Sequence, residues 1–169
     1  FLHETAKLIA ESKDPNIKIA VTEWNQQSIA LRSGIYAGLL LNNFERYGDE
    51  IAMSCPALFI RKTNAQAWNN AFINHDSNKV FTAPNYLVMA MYRENYAPIR
   101  IAAEGPDSLS IVATSDPTTR DVIIKVVNPS ETNDVTAVVE VLGRGAQQFK
   151  RWRVHSAGIN DVNTLDEPE

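Results

Sequence analysis

The chain has 169 residues, of which 44% are hydrophobic and 21% charged, and its formal net charge is −4. This composition is typical of a globular protein with one domain or two small ones. The negative charge without a Lys/Arg-rich stripe argues against nucleic-acid binding, and no apolar run approaches the roughly 20 residues that span a membrane. The single cysteine excludes an internal disulfide, and the three histidines lack metal-ligand spacing, so we predict no metal and no cofactor.

The part of the chain before Pro98 predicts alternating helices and strands. The segment "AKLIAESK" has helical spacing and ends before Pro15, and "IKIAVT" is typical of a strand buried on both faces. The amphipathic segment "SIALRSGIYAGLLLNNFERYGD" then precedes a second apolar strand, "IAMSCPALF". This order predicts that residues 17–22 and 52–59 form adjacent parallel strands, joined in a right-handed connection by a helix around residues 29–46.

Two further elements precede a change of pattern. The segments "AFIN" and "KVF" predict a short hairpin, and Thr82 with Pro84 predicts the start of a helix over "NYLVMAMYREN". Beyond Pro98, four segments rich in Val and Ile are separated by turn signals: "SLSIVATS", "DVIIKVVN", "DVTAVVEVLG" and "QQFKRWRVHSAG". The predicted fold class is therefore α/β followed by all-β, with an antiparallel, jelly-roll-like β-sandwich in the second part.

The segment "IKIAVTEWN" places a carboxylate, Glu23, and an indole, Trp24, where an apolar strand ends. These residue types allow two interpretations. Glu23 is either a polar residue where a strand meets solvent or a catalytic acid at the carboxyl end of a parallel strand, where βα barrels carry their active sites. A carboxylate beside a flat ring suits sugar chemistry, because the carboxylate can stabilise an oxocarbenium-like centre and the ring can pack on a sugar.

The order of several segments resembles a known family of enzymes. "AVTEWN", "LLLNNFERYGDEIAMSCPALF", the Trp68 loop and "NKVFTAPNYLVMAMYRENY" together resemble the α-L-arabinofuranosidases of glycoside hydrolase family 51. The tail "INDVNTLDEPE" is similar to the end of that family's C-terminal sandwich domain. The resemblance covers nearly the whole chain. It implies that residues 1–98 are the last βα units of a (β/α)8 catalytic barrel and that residues 99–169 are an incomplete C-terminal β-sandwich domain.

The resemblance also implies catalytic roles. Glu23 corresponds to the residue that ends barrel strand seven and acts as the nucleophile of a retaining hydrolase, and "IAMSCPALF" corresponds to strand eight. Such an enzyme needs a second carboxyl group as acid/base. In the family this group ends strand four, in an Asn-Glu pair, and the early acids of this chain, including Glu4, Glu11 and Glu45, do not match that motif. We therefore expect a fragment of a longer protein that carries half of the catalytic machinery.

Four other residues are candidates for substrate binding. Trp24 either packs beneath the site or forms a wall of the sugar pocket. Asn25 either orients Glu23 or caps the following helix. Trp68, in the loop after strand eight, either contacts the sugar or packs within its loop. Asn70 matches a polar position near the family's substrate site only loosely, and its interpretation as an ordinary loop amide is the stronger one.

The sequence leaves three functions open. The first is an α-L-arabinofuranosidase that releases terminal α-L-arabinofuranosyl residues from arabinose-containing polysaccharides or oligosaccharides. The second is a related barrel glycosidase, such as a β-xylosidase or an endoglucanase. The third is a non-catalytic carbohydrate-binding or interdomain sandwich, which is disfavoured because the second part has only two aromatic residues, Phe149 and Trp152. The expected partner is an arabinose-containing glycan, with no nucleic acid and no membrane.

Two properties are less well determined by the sequence. The family that the chain resembles is often oligomeric, so a homo-oligomer is possible, but no segment of the chain marks an interface. A secreted, a periplasmic and a cytoplasmic location all remain open, since a lone cysteine, Cys55, does not identify the redox compartment.

Overall fold

A computed structural model describes residues 1–66, 68–143, 145 and 148–168. In chain order the elements are α1 (Leu2–Ala10), β1 (Ile19–Trp24), α2 (Leu31–Arg46), β2 (Ile51–Pro56), β3 (Ile60–Lys62), β4 (Ile73–His75), β5 (Val80–Thr82), α3 (Pro84–Glu94), β6 (Ile99–Ile101), β7 (Ser110–Ser115) and β8 (Val122–Val127). They form a two-stranded sheet, β1-β2, and two three-stranded sheets, β3-β4-β5 and β6-β7-β8. No helix among these residues is both long and apolar enough to cross a membrane.

The predicted β-α-β unit is present. β1 and β2 pair in parallel, and α2 connects them. The 16 residues of α2 span about 24 Å, which is long enough to run back along the two strands. The first turn of α2 therefore lies near the carboxyl end of β1, and its last turn lies near the amino end of β2.

The predicted hairpin and third helix are also present. β4 and β5 pair antiparallel, and β3 adds to β4 in parallel. The helix begins at Pro84, as predicted, with Ala83 in the N-cap position. Proline is well suited to the first helical position because it has no N–H group to leave unpaired there.

Two glycines on α2 allow neighbouring elements to approach closely. A Cβ atom at Gly34 would lie 3.0 Å from Cβ of Pro84, at the start of α3. A Cβ atom at Gly38 would lie 2.8 Å from Cγ2 of Val127, at the end of β8. A larger residue at either position would push these elements apart, so α2 is the helix against which both α3 and the last sheet pack.

The part predicted to be all-β contains one antiparallel sheet, in which β7 lies between β6 and β8. The strands predicted over 134–143 and 147–158 are wrong for the described residues there, because none of them forms a strand. Val138 is 95% exposed and Phe149 is 90% exposed, and the described residues of these segments have no strand to pair with. The described chain combines helices with one parallel, one mixed and one antiparallel sheet, and the complete barrel and the sandwich stay predictions.

A polar cluster joins the second half of α2 to α3 and to the last sheet. Nδ2 of Asn42 donates hydrogen bonds to the carbonyl and the hydroxyl oxygen of Ser110, both at 3.0 Å. The hydroxyl of Tyr92 donates to Oδ1 of Asn42 at 2.6 Å. Lys125 forms an ion pair with Glu45, and its ammonium group lies 5.1 Å from the centre of the Tyr92 ring. Burial, together with the negative charge of Glu45, raises the pKa of Tyr92 well above its usual value.

The C-terminal segment returns to the first turn of α2. The N–H of Leu31 donates to the carbonyl of Asp161 at 3.0 Å, and that of Arg32 donates to the carbonyl of Ile159 at 3.2 Å. α2 has no side-chain cap at Ala30, so these two carbonyls satisfy N–H groups that a helix start otherwise leaves unpaired. The division into residues 1–98 and 99–169 stays a prediction, and these bonds join the two parts.

The polar cluster gives a first testable prediction. Replacing Tyr92 with Phe should lower the free energy of unfolding by about 1–2 kcal/mol, because Oδ1 of Asn42 and the carbonyl of Gly38 lose a buried donor. Tyr96→Phe is the matched control, since that side chain is exposed. Urea denaturation at neutral pH measures both, and equal stabilities of the two variants would contradict the assigned role of the cluster.

The same variant should change the alkaline limb of the stability profile. A tyrosine with a raised pKa in the folded state contributes stability that is complete below the unfolded pKa, near 10, and that is lost as the pH rises above it. The stability difference between the wild type and Tyr92→Phe should therefore narrow above about pH 10. A difference that stays constant across this range would argue against a buried, neutral phenol.

Candidate active site

The predicted nucleophile stands at an irregularity of β1. Between the paired positions Val21–Ser54 and Trp24–Pro56, β1 contains one residue more than β2. Glu23 falls within this interval, and its side chain is exposed. Extra residues of this kind interrupt strand pairing and re-aim side chains, often beside active sites. The irregularity therefore presents the carboxylate of Glu23 outside the regular ladder.

The carboxylate of Glu23 has no hydrogen-bond or ion-pair partner among the residues that the structure describes. An unpaired, solvent-facing carboxylate can accept a hydrogen bond from a ligand or attack an electrophilic carbon. Within the same described parts of the chain, no group of three or more His, Cys, Asp or Glu side chains could hold a metal ion.

Trp24 lies in the core and is only 6% exposed. Its ring meets Phe44 of α2 at 5.9 Å between centroids and 73° between planes, and it meets Phe72 at 5.6 Å and 83°. Both contacts have the edge-to-face geometry that aromatic pairs prefer. This position favours the interpretation of Trp24 as packing beneath the site, and direct contact with a sugar stays a prediction.

The side chain of Asn25 bonds to a loop and to a helix that lie far away in sequence. Its Nδ2 donates to the carbonyl of Asn70 at 2.7 Å. Its Oδ1 accepts from the backbone N–H of Gln26 at 2.7 Å and from Nδ2 of Asn85, in the first turn of α3, at 3.2 Å. Asn25 therefore does not cap α2, which starts only at Leu31. It holds the end of β1 by side-chain bonds.

The loop between β3 and β4 carries the last two candidates. Nδ2 of Asn70 donates to the carbonyl of Gln26 at 3.0 Å, which places this loop at the carboxyl end of β1. Asn70 is buried, and its Oδ1 has no partner among the described residues. Trp68, in contrast, is 67% exposed beside an open depression of about 460 Å³ that Leu58 also lines. Trp68 is thus available to a ligand, and both substrate contacts stay predictions.

A larger concavity, of about 670 Å³, lies elsewhere. It is bounded by the start of α2, by β5 and the start of α3, and by the C-terminal segment, and it includes none of the five predicted site residues. Asp161 lines it, and hydrogen bonds from the Ser156 hydroxyl and the Gly158 N–H lower the pKa of that carboxyl group. This concavity is therefore separate from the candidate catalytic site, and the carboxyl group of Asp161 is bonded within its own segment.

Two residues that support the site were not identified from the sequence. Phe72 is fully buried against Trp24, and Asn85 is 1% exposed and bonded to Asn25. The signal for Asn85 was present, since an amide stands directly after Pro84 at the start of a helix whose next residues, 86–92, are apolar or aromatic. Its partner, however, depends on tertiary contacts that no local pattern reveals.

Comparison with known proteins identifies the family. The family model described as "Alpha-L-arabinofuranosidase C-terminal domain" matches residues 12–169. The chain belongs to this family. The membership confirms the resemblance seen in the sequence. Among curated protein sequences, none matches the chain.

Solved structures of α-L-arabinofuranosidases share the fold of this family member. The thermostable GH51 α-L-arabinofuranosidase from Thermotoga petrophila RKU-1 is 17% identical with a TM-score of 0.76, and the match covers 99% of this chain and 40% of that one. The α-L-arabinofuranosidase from Thermotoga maritima, in an arabinose complex, is 16% identical with a TM-score of 0.73 and the same coverage. A family 51 enzyme from Bifidobacterium longum is 14% identical with a TM-score of 0.56, covering 82% of this chain and 29% of that one. The chain thus spans less than half the length of these structures.

The contrast between the two tryptophans gives a second prediction. Trp24→Ala should lower the free energy of unfolding by about 3–5 kcal/mol, because it removes a buried ring and leaves a cavity beside Phe44 and Phe72. Trp68→Ala should change it by no more than about 0.5 kcal/mol, because the ring is mostly exposed. Chemical denaturation measures both, and a strongly destabilised Trp68→Ala variant would show that this ring packs within its loop.

Proposed function

We propose that this chain is the C-terminal part of a retaining α-L-arabinofuranosidase, in which Glu23 is the catalytic nucleophile. The substrate class is a polysaccharide or oligosaccharide with terminal α-L-arabinofuranosyl residues. The chain contributes the nucleophile and one side of the sugar site, and the acid/base residue comes from a part of the protein outside these residues. Residues 1–98 belong to a (β/α)8 barrel and residues 99–169 to a C-terminal β-sandwich domain.

The observation that carries this proposal is the placement of Glu23. The chain is a member of an arabinofuranosidase family. Its exposed Glu23 lies at the carboxyl end of the parallel strand β1, where the pairing with β2 is irregular. Barrel enzymes place their catalytic groups at this end of their strands. The loop that carries Trp68 lies at the same end, so an exposed ring and an exposed carboxylate are both available at this end of the sheet.

The proposed reaction has two steps. In the first, an oxygen of Glu23 attacks the anomeric carbon, the glycosidic C–O bond breaks, and the acid/base residue gives its proton to the leaving oxygen. In the second, water attacks the same carbon and gives a proton to the acid/base residue. The ester bond to Glu23 breaks, and arabinose leaves with its anomeric configuration retained. The chemistry needs no metal.

The neighbouring residues have supporting roles in this proposal. Trp68 offers a flat apolar face on which a sugar ring packs. Asn25 and Asn70 hold the end of β1 against the β3–β4 loop, and the unpartnered Oδ1 of Asn70 is an acceptor for a substrate hydroxyl. Trp24 supports Glu23 from beneath. A panel of aryl glycosides, assayed with the complete protein, separates an arabinofuranosidase from a β-xylosidase or an endoglucanase.

The third prediction tests the nucleophile in the complete protein. Glu23→Ala and Glu23→Gln should abolish turnover of p-nitrophenyl α-L-arabinofuranoside with little loss of folding, because neither side chain can form the glycosyl ester. Added azide or formate should restore part of the turnover of Glu23→Ala by occupying the vacated space. Circular dichroism checks that both variants are folded.

Glu11→Ala is the control for this experiment. Glu11 is an exposed glutamate next to the end of α1, so its replacement should leave turnover unchanged. If purified Glu23→Ala keeps substantial activity without added anion, another residue is the nucleophile and the assignment fails.

The fourth prediction concerns residues 1–169 on their own. They should hydrolyse no aryl arabinofuranoside at a measurable rate, because general acid catalysis contributes roughly 10²–10⁴-fold and the proposed acid/base residue lies elsewhere.

The two-stranded sheet β1-β2 also leaves unpaired edges, and Met53 on β2 is half exposed, so we expect residues 1–169 on their own to self-associate. Light scattering after size-exclusion chromatography measures the association. Robust turnover would mean that these residues contain the second carboxylate, and an inactive monomer would disprove only the expected association through exposed edges.

A further inference from the structure

The side chain of Asn85 links α3 to the end of β1. The residue is 1% exposed, and its Nδ2 donates to Oδ1 of Asn25 at 3.2 Å. Its own Oδ1 accepts from the backbone N–H of Tyr86 at 2.9 Å. Asn85 therefore makes one bond within its helix and one bond towards the segment that carries Glu23.

Asn25 is held on both sides of its carboxamide. Its Nδ2 is bonded to the carbonyl of Asn70, and its Oδ1 is bonded to Gln26 and Asn85. Of these partners, Gln26 is the next residue in the chain and moves with Asn25. Among the described residues, the bonds to Asn70 and Asn85 connect this carboxamide to other elements of the fold.

We propose that Asn85 is a positioning residue for Glu23, an inference that rests on the proposed function. The ladder between β1 and β2 is irregular where Glu23 stands and resumes at Trp24, whose carbonyl accepts from the N–H of Ala57 at 3.0 Å. Strand pairing therefore holds the backbone after Glu23 but not at Glu23 itself. The side chain of Asn25, directly after Trp24, adds the bonds that connect this segment to the Asn70 loop and to α3. Asn85 supplies the donor that holds Oδ1 of Asn25, and it thereby sets the direction from which the carboxylate of Glu23 meets the anomeric carbon.

Asn85→Asp separates this role from a purely structural one. Aspartate has the size of asparagine and still accepts from the N–H of Tyr86, and a negative charge is favourable in the first turn of a helix. If Asn85 only stabilises the start of α3, the variant should be less stable but should keep the wild-type kcat at temperatures where it is folded. If Asn85 positions Glu23, the variant should have a lower kcat, because an ionised aspartate cannot donate a hydrogen bond to Asn25.

Asn42→Asp is the matched control. Asn42 is also a fully buried asparagine that donates through Nδ2, to Ser110, and accepts through Oδ1, from Tyr92. It lies on α2 about 16 Å along the helix from Leu31, and thus far from the carboxyl end of β1. This variant loses a buried amide donor in the same way without touching the Asn25 segment.

The experiment measures kcat and KM for an aryl α-L-arabinofuranoside with the complete protein. For Asn85→Asp we expect kcat to fall about 10–100-fold, as misplacement of a reacting group by about an ångström does, while KM stays within about threefold. For Asn42→Asp we expect a lower midpoint of unfolding with an unchanged kcat at temperatures where the variant is folded. Wild-type kcat in folded Asn85→Asp overturns the proposal.

A mutant cycle keeps the proposal testable if Asn85→Asp does not fold. Asn25→Ala should lower kcat at least as much as Asn85→Ala, because it also loses the bond to Asn70, and the double variant should resemble Asn25→Ala. If the factors by which the two single variants lower kcat multiply in the double variant, the proposal is overturned. Glu23→Ala is measured in parallel. If Glu23→Ala is active, the proposed function has failed, whereas an inactive Glu23→Ala beside a fully active Asn85 series refutes only the positioning role.

Discussion

Trp24 packs edge-on against Phe44 and Phe72, and the arrangement of the candidate site depends on this contact. The indole joins the end of β1 to α2 and to the residue just before β4, three segments that are distant in sequence. Aromatic side chains bury about 150–250 Å² each, so such a contact is a strong anchor. With the indole fixed in the core, the extra residue in β1 leaves Glu23 exposed and outside the regular pairing of β1 with β2. This core contact thus fixes the residue next to the proposed catalytic carboxylate.

The two ends of α2 are held in different ways. Near its start, backbone bonds and apolar contacts hold the helix beside the candidate site, whereas near its end the polar cluster of Asn42, Glu45, Tyr92, Ser110 and Lys125 joins it to the last sheet. A buried ion pair such as Lys125–Glu45 adds little net stability, because desolvation offsets most of the attraction. Its hydrogen-bonded neighbours instead specify one mutual orientation of the helix and the sheet. The start of α2 is therefore held mainly by backbone bonds and packing, and its end is held by polar bonds that orient it against the last sheet.

The sequence allowed much of the first part to be predicted, because β1, α2, β2, the hairpin and α3 each follow from a local pattern of apolar, turn and cap residues. The same reasoning failed for residues 134–143, since a high β-propensity forms no strand without a partner to pair with. It also left the roles of Trp24 and Asn25 open. Both stand at the end of a strand in any interpretation. Only the contact with the distant Phe72 favours a packing role for Trp24, and only the bond from the distant Asn85 shows that Asn25 links β1 to α3.

The capping of α2 by the C-terminal segment has a consequence for how the protein is made. A ribosome synthesises the chain from its N-terminus, so the strand with Glu23 and all of α2 emerge long before Ile159 and Asp161. Until those residues arrive, the N–H groups of Leu31 and Arg32 have only water as partner. Contacts between residues so far apart in sequence also form slowly, because a long loop must close first. We therefore expect the segment that carries the proposed catalytic carboxylate to be among the last parts of the nascent chain to reach its final geometry.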